Sequence, residues 1–265
     1  MLLLIDTAQE SGSVILASGD AMLFSEENKI AKEHATWLHE AISRLLEKAG
    51  AKVQDLKAVS VMAGPGSYTG LRVGMAAAKG LCYALKIPLI TQNTLRVMAA
   101  SMRAEAERQT AEIREASMPK ETGRQFAEIR PAKLEEVDGH NTEIRSIIQK
   151  VPDGPNVLIC PLIDARRDEV FTAVFDTDMQ EILPPQALIL DKSSFENLLS
   201  QKRIIFFGTG APKLKNILQS PFALFPPETD IKQAFVKVSQ HDFARGNWAD
   251  PIYSELVYLK EFFSY

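Results

Sequence analysis

The residues whose types and spacing best suit chemistry form the loop Gly64-Pro65-Gly66-Ser67-Tyr68-Thr69-Gly70-Leu71-Arg72. The loop follows an apolar run and precedes a helical pattern. Its backbone N–H groups therefore sit at a helix N-terminus, where an anion can be accepted. Gly64, Gly66 and Ser67 are the candidates for that contact. The loop lacks the lysine and following hydroxyl of a P-loop, and the third glycine of the dinucleotide fingerprint. The other reading is a tight turn with Thr69 as helix cap. Asp6 and Thr7, which end the first apolar run, could hold magnesium or a phosphate. Gly208-Thr209-Gly210 is the nearest candidate for a second phosphate loop, but with Ala211-Pro212 after it the segment also fits a strand–turn–helix join. No acid–base pair can be placed beside these residues. His34 and His39 are five apart and project about 140° from each other on a helix, so they cannot chelate one metal as an i, i+4 pair would. His140 and His241 lie in polar stretches, and all four histidines read as solvated or helix-surface residues. The two cysteines, Cys82 and Cys160, sit in apolar runs without Cys-x-x-Cys spacing and read as buried reduced thiols.

Elements must position these groups. Leu2 to Asp6 is a continuous apolar run of buried-strand length. Ser13 to Ala17 and Leu23 to Ser25 are two further strands. Glu33 to Ala49 changes period: Trp37, Leu38, Ala41, Ile42, Leu45 and Leu46 recur at helical spacing, and Gly50 stops the helix. Leu56 to Met62 is a strand running into the glycine loop. Gly70 to Leu85 is a helix ended by Ile87-Pro88, Leu89 to Thr91 a strand, and Thr94 opens a helix passing Met102. In the second of these helices Gly70, Gly74, Ala78 and Cys82 lie four apart, as do Ala76, Gly80 and Ala84. Each helical glycine costs about 1 kcal/mol relative to alanine, and close helix approach is the compensation to expect. The wide stripe of the first helix and the small faces of the second suggest a surface for another protein, the alternative being that both are covered internally. On the first reading Gly74→Leu blocks partner binding and leaves the fold mostly intact.

Residues 104–155 are rich in Glu, Arg and Gln and carry a short repeat, Ala111-Glu112-Ile113-Arg114, Ala127-Glu128-Ile129-Arg130 and Thr142-Glu143-Ile144-Arg145. They read as an insertion, partly helical or mobile, between a first lobe at 1–103 and a second at 156–265. In the second lobe Val157 to Ile163, Glu169 to Phe175, Leu188 to Leu190 and Ile204 to Phe207 are strands. Ser193 to Ser200, Pro212 to Leu218 and Ile231 to Arg245 are helices, the last returning to the first lobe. This order predicts an α/β protein with mixed sheets and helices packed on them, the order of the two-lobed actin-like ATPase (ASKHA) fold. The 265 residues, 46% hydrophobic and 24% charged, belong to an ordinary globular chain. A net charge of -4 argues against a free-standing nucleic-acid binder. Met1-Leu2-Leu3-Leu4-Ile5-Asp6 lacks the basic flank of a signal peptide, and no apolar run is long enough to span a bilayer. A cytoplasmic protein without a membrane role is expected.

Together these residues resemble the TsaB family of tRNA threonylcarbamoyladenosine (t6A) biosynthesis. The resemblance rests on Leu3-Leu4-Ile5-Asp6-Thr7-Ala8, on Gly64 through Gly74, and on Thr94-Leu95. It extends to Ile163-Asp164-Ala165-Arg166-Arg167-Asp168-Glu169-Val170 and to the closing Val257-Tyr258-Leu259-Lys260. It implies a non-catalytic, actin-like subunit that binds the threonylcarbamoyltransferase TsaD and, with it, the small ATPase TsaE, reaching tRNA through the complex. Mapped onto this sequence, the docking helices are about 34–49 and 70–85, with Trp37, Leu38, Ala41, Leu45, Gly70, Arg72, Gly74 and Ala78 as candidate interface residues. No cofactor is expected for this chain alone, since ATP, ADP and metal belong to the partners. Alone, the helix pair is expected to form a homodimer. The alternatives are an actin-like ATP-dependent phosphotransferase using Asp6 and the glycine loops, and a metal-dependent glycoprotease-like hydrolase.

Overall fold

A computed structural model describes residues 1–28, 34–117 and 157–260. Its strands form two five-stranded sheets. The first sheet comprises β1 (Leu2–Asp6), β2 (Gly12–Ser18), β3 (Ala21–Asn28), β4 (Ala58–Gly64) and β5 (Leu89–Asn93), in the order β3-β2-β1-β4-β5. The second comprises β6 (Val157–Asp164), β7 (Glu169–Phe175), β8 (Glu181–Ile189), β9 (Arg203–Phe207) and β10 (Ala223–Leu224), in the order β8-β7-β6-β9-β10. In each sheet the first three strands are antiparallel and the last two run parallel to the first. The lobes therefore share one topology. β1 corresponds to β6, and the loop after β4 to the loop after β9. The fold is the two-lobed actin-like α/β architecture.

The helices are α1 (His34–Lys48), α2 (Tyr68–Leu85), α3 (Thr94–Ser117), α4 (Glu196–Leu199), α5 (Ala211–Ile217) and α6 (Lys232–Arg245). Alternation along each strand sends successive side chains to opposite faces. Leu3, Ile5, Val14 and Leu16 meet Leu38, Ala41 and Leu45 of α1 and Met75 and Ala78 of α2 on one face. Leu2, Leu4, Ile15 and Met62 meet Val97 of α3 and Ala234, Phe235 and Val236 of α6 on the other. Both faces of β1 are thus covered, which is why its run is apolar without interruption. α3 lies between the lobes, turning Leu95, Met98 and Met102 onto Ile159, Phe175 and Phe207 of the second sheet. α6 packs back onto the first sheet, where Ser239 Oγ lies 2.8 Å from Ser60 Oγ.

Several elements differ from the sequence expectation. β8 begins at Glu181 and is longer than Leu188 to Leu190. Pro184 and Pro185 hide it in the sequence; they fall on an edge strand, at the break in register between Leu183 and Gln186, where proline is tolerated. β10 has only two residues, too short for a periodic signal. α4 is a single turn within the expected Ser193 to Ser200 helix. The helix opened by Thr94 continues to Ser117, so the start of the 104–155 segment is the end of α3. The rest of that segment, with His140 and the second and third copies of its repeat, lies outside the described residues.

After α6 the chain forms a strap. Trp248 to Lys260 runs without long regular structure beside β5, α2 and the end of β4, then reaches the second lobe. Ala249 N donates to Leu89 O at 2.8 Å, Val257 N donates to Ala63 O at 2.8 Å, and Lys260 Nζ donates to Ala165 O at 2.7 Å.

Candidate functional site

β4 ends at Gly64, whose φ of 110° suits glycine, and the Gly64–Pro65 peptide is cis. A Cβ at Gly64 would lie 2.9 Å from Val257 O of the strap. A Cβ at Gly66 would collide with Ala8 O, and one at Gly70 with Thr7 O. The glycines thus let the loop lie directly on the turn after β1. Hydrogen bonds lock the two together: Ser67 N donates to Ala8 O at 2.6 Å and Thr7 Oγ1 to Gly70 O at 2.7 Å. Ser67, not Thr69, caps α2, its Oγ accepting from Gly70 N at 3.3 Å from an extended backbone (φ −60°, ψ 115°). Gly70 is the third helical residue, the amide an N-cap side chain reaches; Thr69 already lies inside the helix.

Asp6, Thr7, Gly64, Gly66 and Ser67 are therefore brought together, as the anion reading requires. Two of the amides that reading would use, Ser67 N and Gly70 N, are already occupied by Ala8 O and Ser67 Oγ. Asp6 is buried, and burial pushes its carboxyl up to about 6 although the Ala8 amide donates to it at 2.9 Å. Its environment thus favours the neutral acid more than an exposed aspartate's would. In the second lobe Gly208 and Gly210 are likewise spent on packing. A Cβ at Gly208 would come within 2.7 Å of Met98 Cε, and one at Gly210 within 2.7 Å of Val170 Cγ1. Thr209 Oγ1 accepts from Asp164 N at 3.0 Å.

His34 is buried with Nε2 3.3 Å from Gln9 O, whereas His39 is exposed on α1. The buried ring departs from the helix-surface expectation because the first turn of α1 packs over Gly12, whose bare Cα makes room for it. Among the described residues no group of three or more His, Cys, Asp or Glu could hold a metal ion. Cys82 and Cys160 are buried and free, their thiols pushed up to about 11 and about 12 by burial. No helix among the described residues is long and apolar enough to cross a membrane.

The candidate interface residues separate into two faces. Leu38, Ala41 and Leu45 are buried in the first-lobe core and Trp37 packs half-buried against it. The wide stripe of α1 is thus consumed by the chain's own sheet. Gly70, Gly74 and Ala78 also point inward. A Cβ at Gly74 would collide with Thr7 Oγ1 and lie 3.3 Å from Ile5 Cγ2, so this small face seats α2 on β1. Leu38, Ala41, Leu45, Gly70, Gly74 and Ala78 are thus packed within this chain and do not lie on its surface, contrary to an exposed docking face. Arg72 alone of the eight is exposed.

The outward face of α2 carries the second small series. Ala76, Gly80 and Ala84 are exposed, a Cβ at Gly80 would find open space, and Tyr83 is 76% exposed. The strap extends this face. Lys79 Nζ donates to Ile252 O at 3.3 Å and Ser254 O at 2.7 Å, leaving Ile252 and Tyr253 66% and 79% exposed. Arg72 lies 4.0 Å over the Tyr68 ring and donates to Tyr258 Oη at 3.3 Å, and the two tyrosine rings are 5.4 Å apart. A groove of about 460 Å³ separates α2 from the strap, lined by Arg72, Ala76, Lys79, Ser254 and Tyr258 among others. Tyr83 could have been flagged as an aromatic beside a small-residue series. Ile252 and Tyr253 lie in a stretch with no periodicity, so nothing in the sequence ties them to α2.

Known proteins resemble this arrangement. The family model for TsaD, tRNA N6-adenosine threonylcarbamoyltransferase, matches residues 27–113. The tRNA threonylcarbamoyladenosine biosynthesis protein TsaB of Bacillus subtilis is 25% identical over 223 residues, covering 82% of this chain and 75% of that protein. TsaB of Escherichia coli is 34% identical over 98 residues, covering 37% of this chain and 42% of that protein. Among solved structures, YeaZ from Pseudomonas aeruginosa aligns with a TM-score of 0.62 at 20% identity, covering 97% of this chain and 99% of that one. At that identity the structural likeness speaks for the fold, while the sequence matches to TsaB speak for the family. The sequence matches to TsaB, together with the likeness to YeaZ over nearly the whole chain, support a TsaB/YeaZ-family protein.

Proposed function

We propose that this chain serves t6A biosynthesis as a non-catalytic docking subunit that binds TsaD and, through that pair, TsaE. The observation that carries the reading is the outward face of α2. A helix that exposes Ala76, Gly80 and Ala84 beside Tyr83, with Ile252 and Tyr253 of the strap alongside, lets another helix approach closely and offers aromatic anchors at its rim. The match of the TsaD family model to residues 27–113 supports a partner built on related helices. In this reading nucleotide and metal are carried by the partners, and tRNA is reached through the assembly. A homodimer through the same face forms when the partner is absent.

Co-purification with TsaD tests the reading. The chain should be retained by TsaD, show no threonylcarbamoyl transfer alone, and give a dimer by light scattering when purified by itself. Robust ATP turnover by the isolated chain would sink the docking role and favour an actin-like phosphotransferase. Calorimetry with magnesium and ATP measures that alternative directly.

A further inference from the structure

The turn between β6 and β7 is the one place among the described residues where two consecutive non-glycine residues occupy left-handed backbone. There φ is 68° at Arg166 and 49° at Arg167. This region crowds the Cβ of an L residue and is visited mainly by Gly, Asn and Asp. Such a conformation persists only where its surroundings over-determine it, and here they do. Arg166 N donates to Asp164 Oδ1 at 2.6 Å and Glu169 N to Arg166 O at 3.1 Å. Lys213 Nζ of α5 reaches Asp164 Oδ1 at 2.8 Å and Glu169 O at 3.2 Å. Lys260 of the strap donates to Ala165 O at 2.7 Å and pairs with the Glu169 carboxylate.

Among the described residues the side chains presented by this braced turn have no such partners. Arg166 and Arg167 are exposed, and neither guanidinium makes a hydrogen bond or ion pair among the described residues. Among the described residues the acids of this turn are Asp164, Asp168 and Glu169. Lys213 neutralises the first and Lys260 the last, which leaves Asp168 against two arginines. The turn is thus locally cationic on a chain whose net charge is -4.

We infer that the Arg166–Arg167 turn contacts the phosphate backbone of tRNA, a role that rests on the proposed place of this chain in a tRNA-modifying assembly. A guanidinium fork can meet two phosphate oxygens at once, and phosphate contacts fix the register of a nucleic acid without reading its sequence. Two adjacent exposed guanidiniums on one turn can meet two successive phosphates of a nucleic-acid backbone.

The test replaces both arginines by asparagine, which tolerates left-handed backbone and removes the charges. Binding of a tRNA transcript to the TsaD complex is followed by fluorescence anisotropy across a salt series. R166N/R167N should lower affinity about tenfold at moderate salt and shrink the slope of log K against log salt by about 1.4–1.8, the counterions released by two phosphates. R166K/R167K should recover most of the loss, and the melting temperature of the asparagine variant should not fall. Unchanged RNA affinity overturns the inference. So does loss of TsaD binding with RNA affinity intact, which would make the turn a protein contact. If the wild-type chain fails to bind TsaD, the proposed function fails instead, and titration of the chain alone decides this point. There, RNA binding weakened by R166N/R167N supports the contact, whereas no binding, or equal binding by both proteins, overturns it.

Discussion

Asp6 and Ser67 each accept a backbone amide where the turn after β1 meets the start of α2. The Asp6 carboxyl is pushed up to about 6 by burial, against about 3.9 in an unfolded chain. The folded state therefore holds this proton more tightly than the unfolded state. The stability this provides is fully present below about pH 4 and is lost as pH rises through about 6, at most roughly 3 kcal/mol. Asp6→Asn should accordingly melt higher than wild type at pH 7.5, with the difference shrinking towards pH 4. A difference independent of pH would show that ionisation of Asp6 is not its cause. Ser67→Ala removes the α2 cap and should cost about 1 kcal/mol, a fall of about 2–4 °C in melting temperature. Thr69→Ala should change little by comparison, because Thr69 caps nothing.

Glycines on the two faces of α2 make the element-scale argument. Gly74 lies where any side chain meets Thr7, Ile5 and Val61, while Gly80 faces open space. The same substitution should therefore do opposite things. Gly74→Leu overpacks the joint with β1 and should cost more than about 3 kcal/mol or prevent folding. This replaces the expectation of an intact fold with a blocked partner. Gly80→Leu should leave the melting temperature unchanged or slightly raised, since leucine is the better helix former by several tenths of a kcal/mol. It should weaken co-purification with TsaD about tenfold, or roughly 1.4 kcal/mol. Equal TsaD binding by Gly80→Leu and wild type would remove the outward face of α2 from the interface.

For the whole molecule the strap matters most. It leaves α6, edges β5, lies along α2, bonds to Ala63 at the end of β4 and finishes on the second lobe through Lys260. Among the described residues the lobes are thus joined by α3 in the interior, by α6 packed back onto the first sheet and by the strap outside. Tyr258→Ala deletes the contact with Tyr68 and the Arg72 bond. Amide exchange at Val257 should then speed up markedly while β6 to β9 remain protected. Uniform acceleration across both lobes would mean that the strap holds up the entire fold instead of covering one seam.

Local signals sufficed for much of this. Apolar runs bounded by turns located β1, β4, β6, β7 and β9, because a strand covered on both faces must be apolar throughout. The glycine loop was legible as the end of a strand and the start of a helix, and with Asp6-Thr7 and the Asp-Ala-Arg segment it pointed to the family. Which way each helix faces was not legible. Gly70-Gly74-Ala78 and Ala76-Gly80-Ala84 are equivalent series in the sequence, and only the depth of β1 beneath α2 decides which one is buried. The excess stripe of α1 likewise vanished into a sheet whose width no local pattern reports. Ile252 and Tyr253 became informative only through the strap's contacts with Lys79, more than 170 residues away, and the Arg166-Arg167 turn only through the Lys213 and Lys260 bonds that brace it. Periodicity records what an element buries, so the sequence by itself determined most of the elements and the family resemblance. What those elements leave exposed depends on where the rest of the chain comes to lie, and that was decided by the tertiary structure alone.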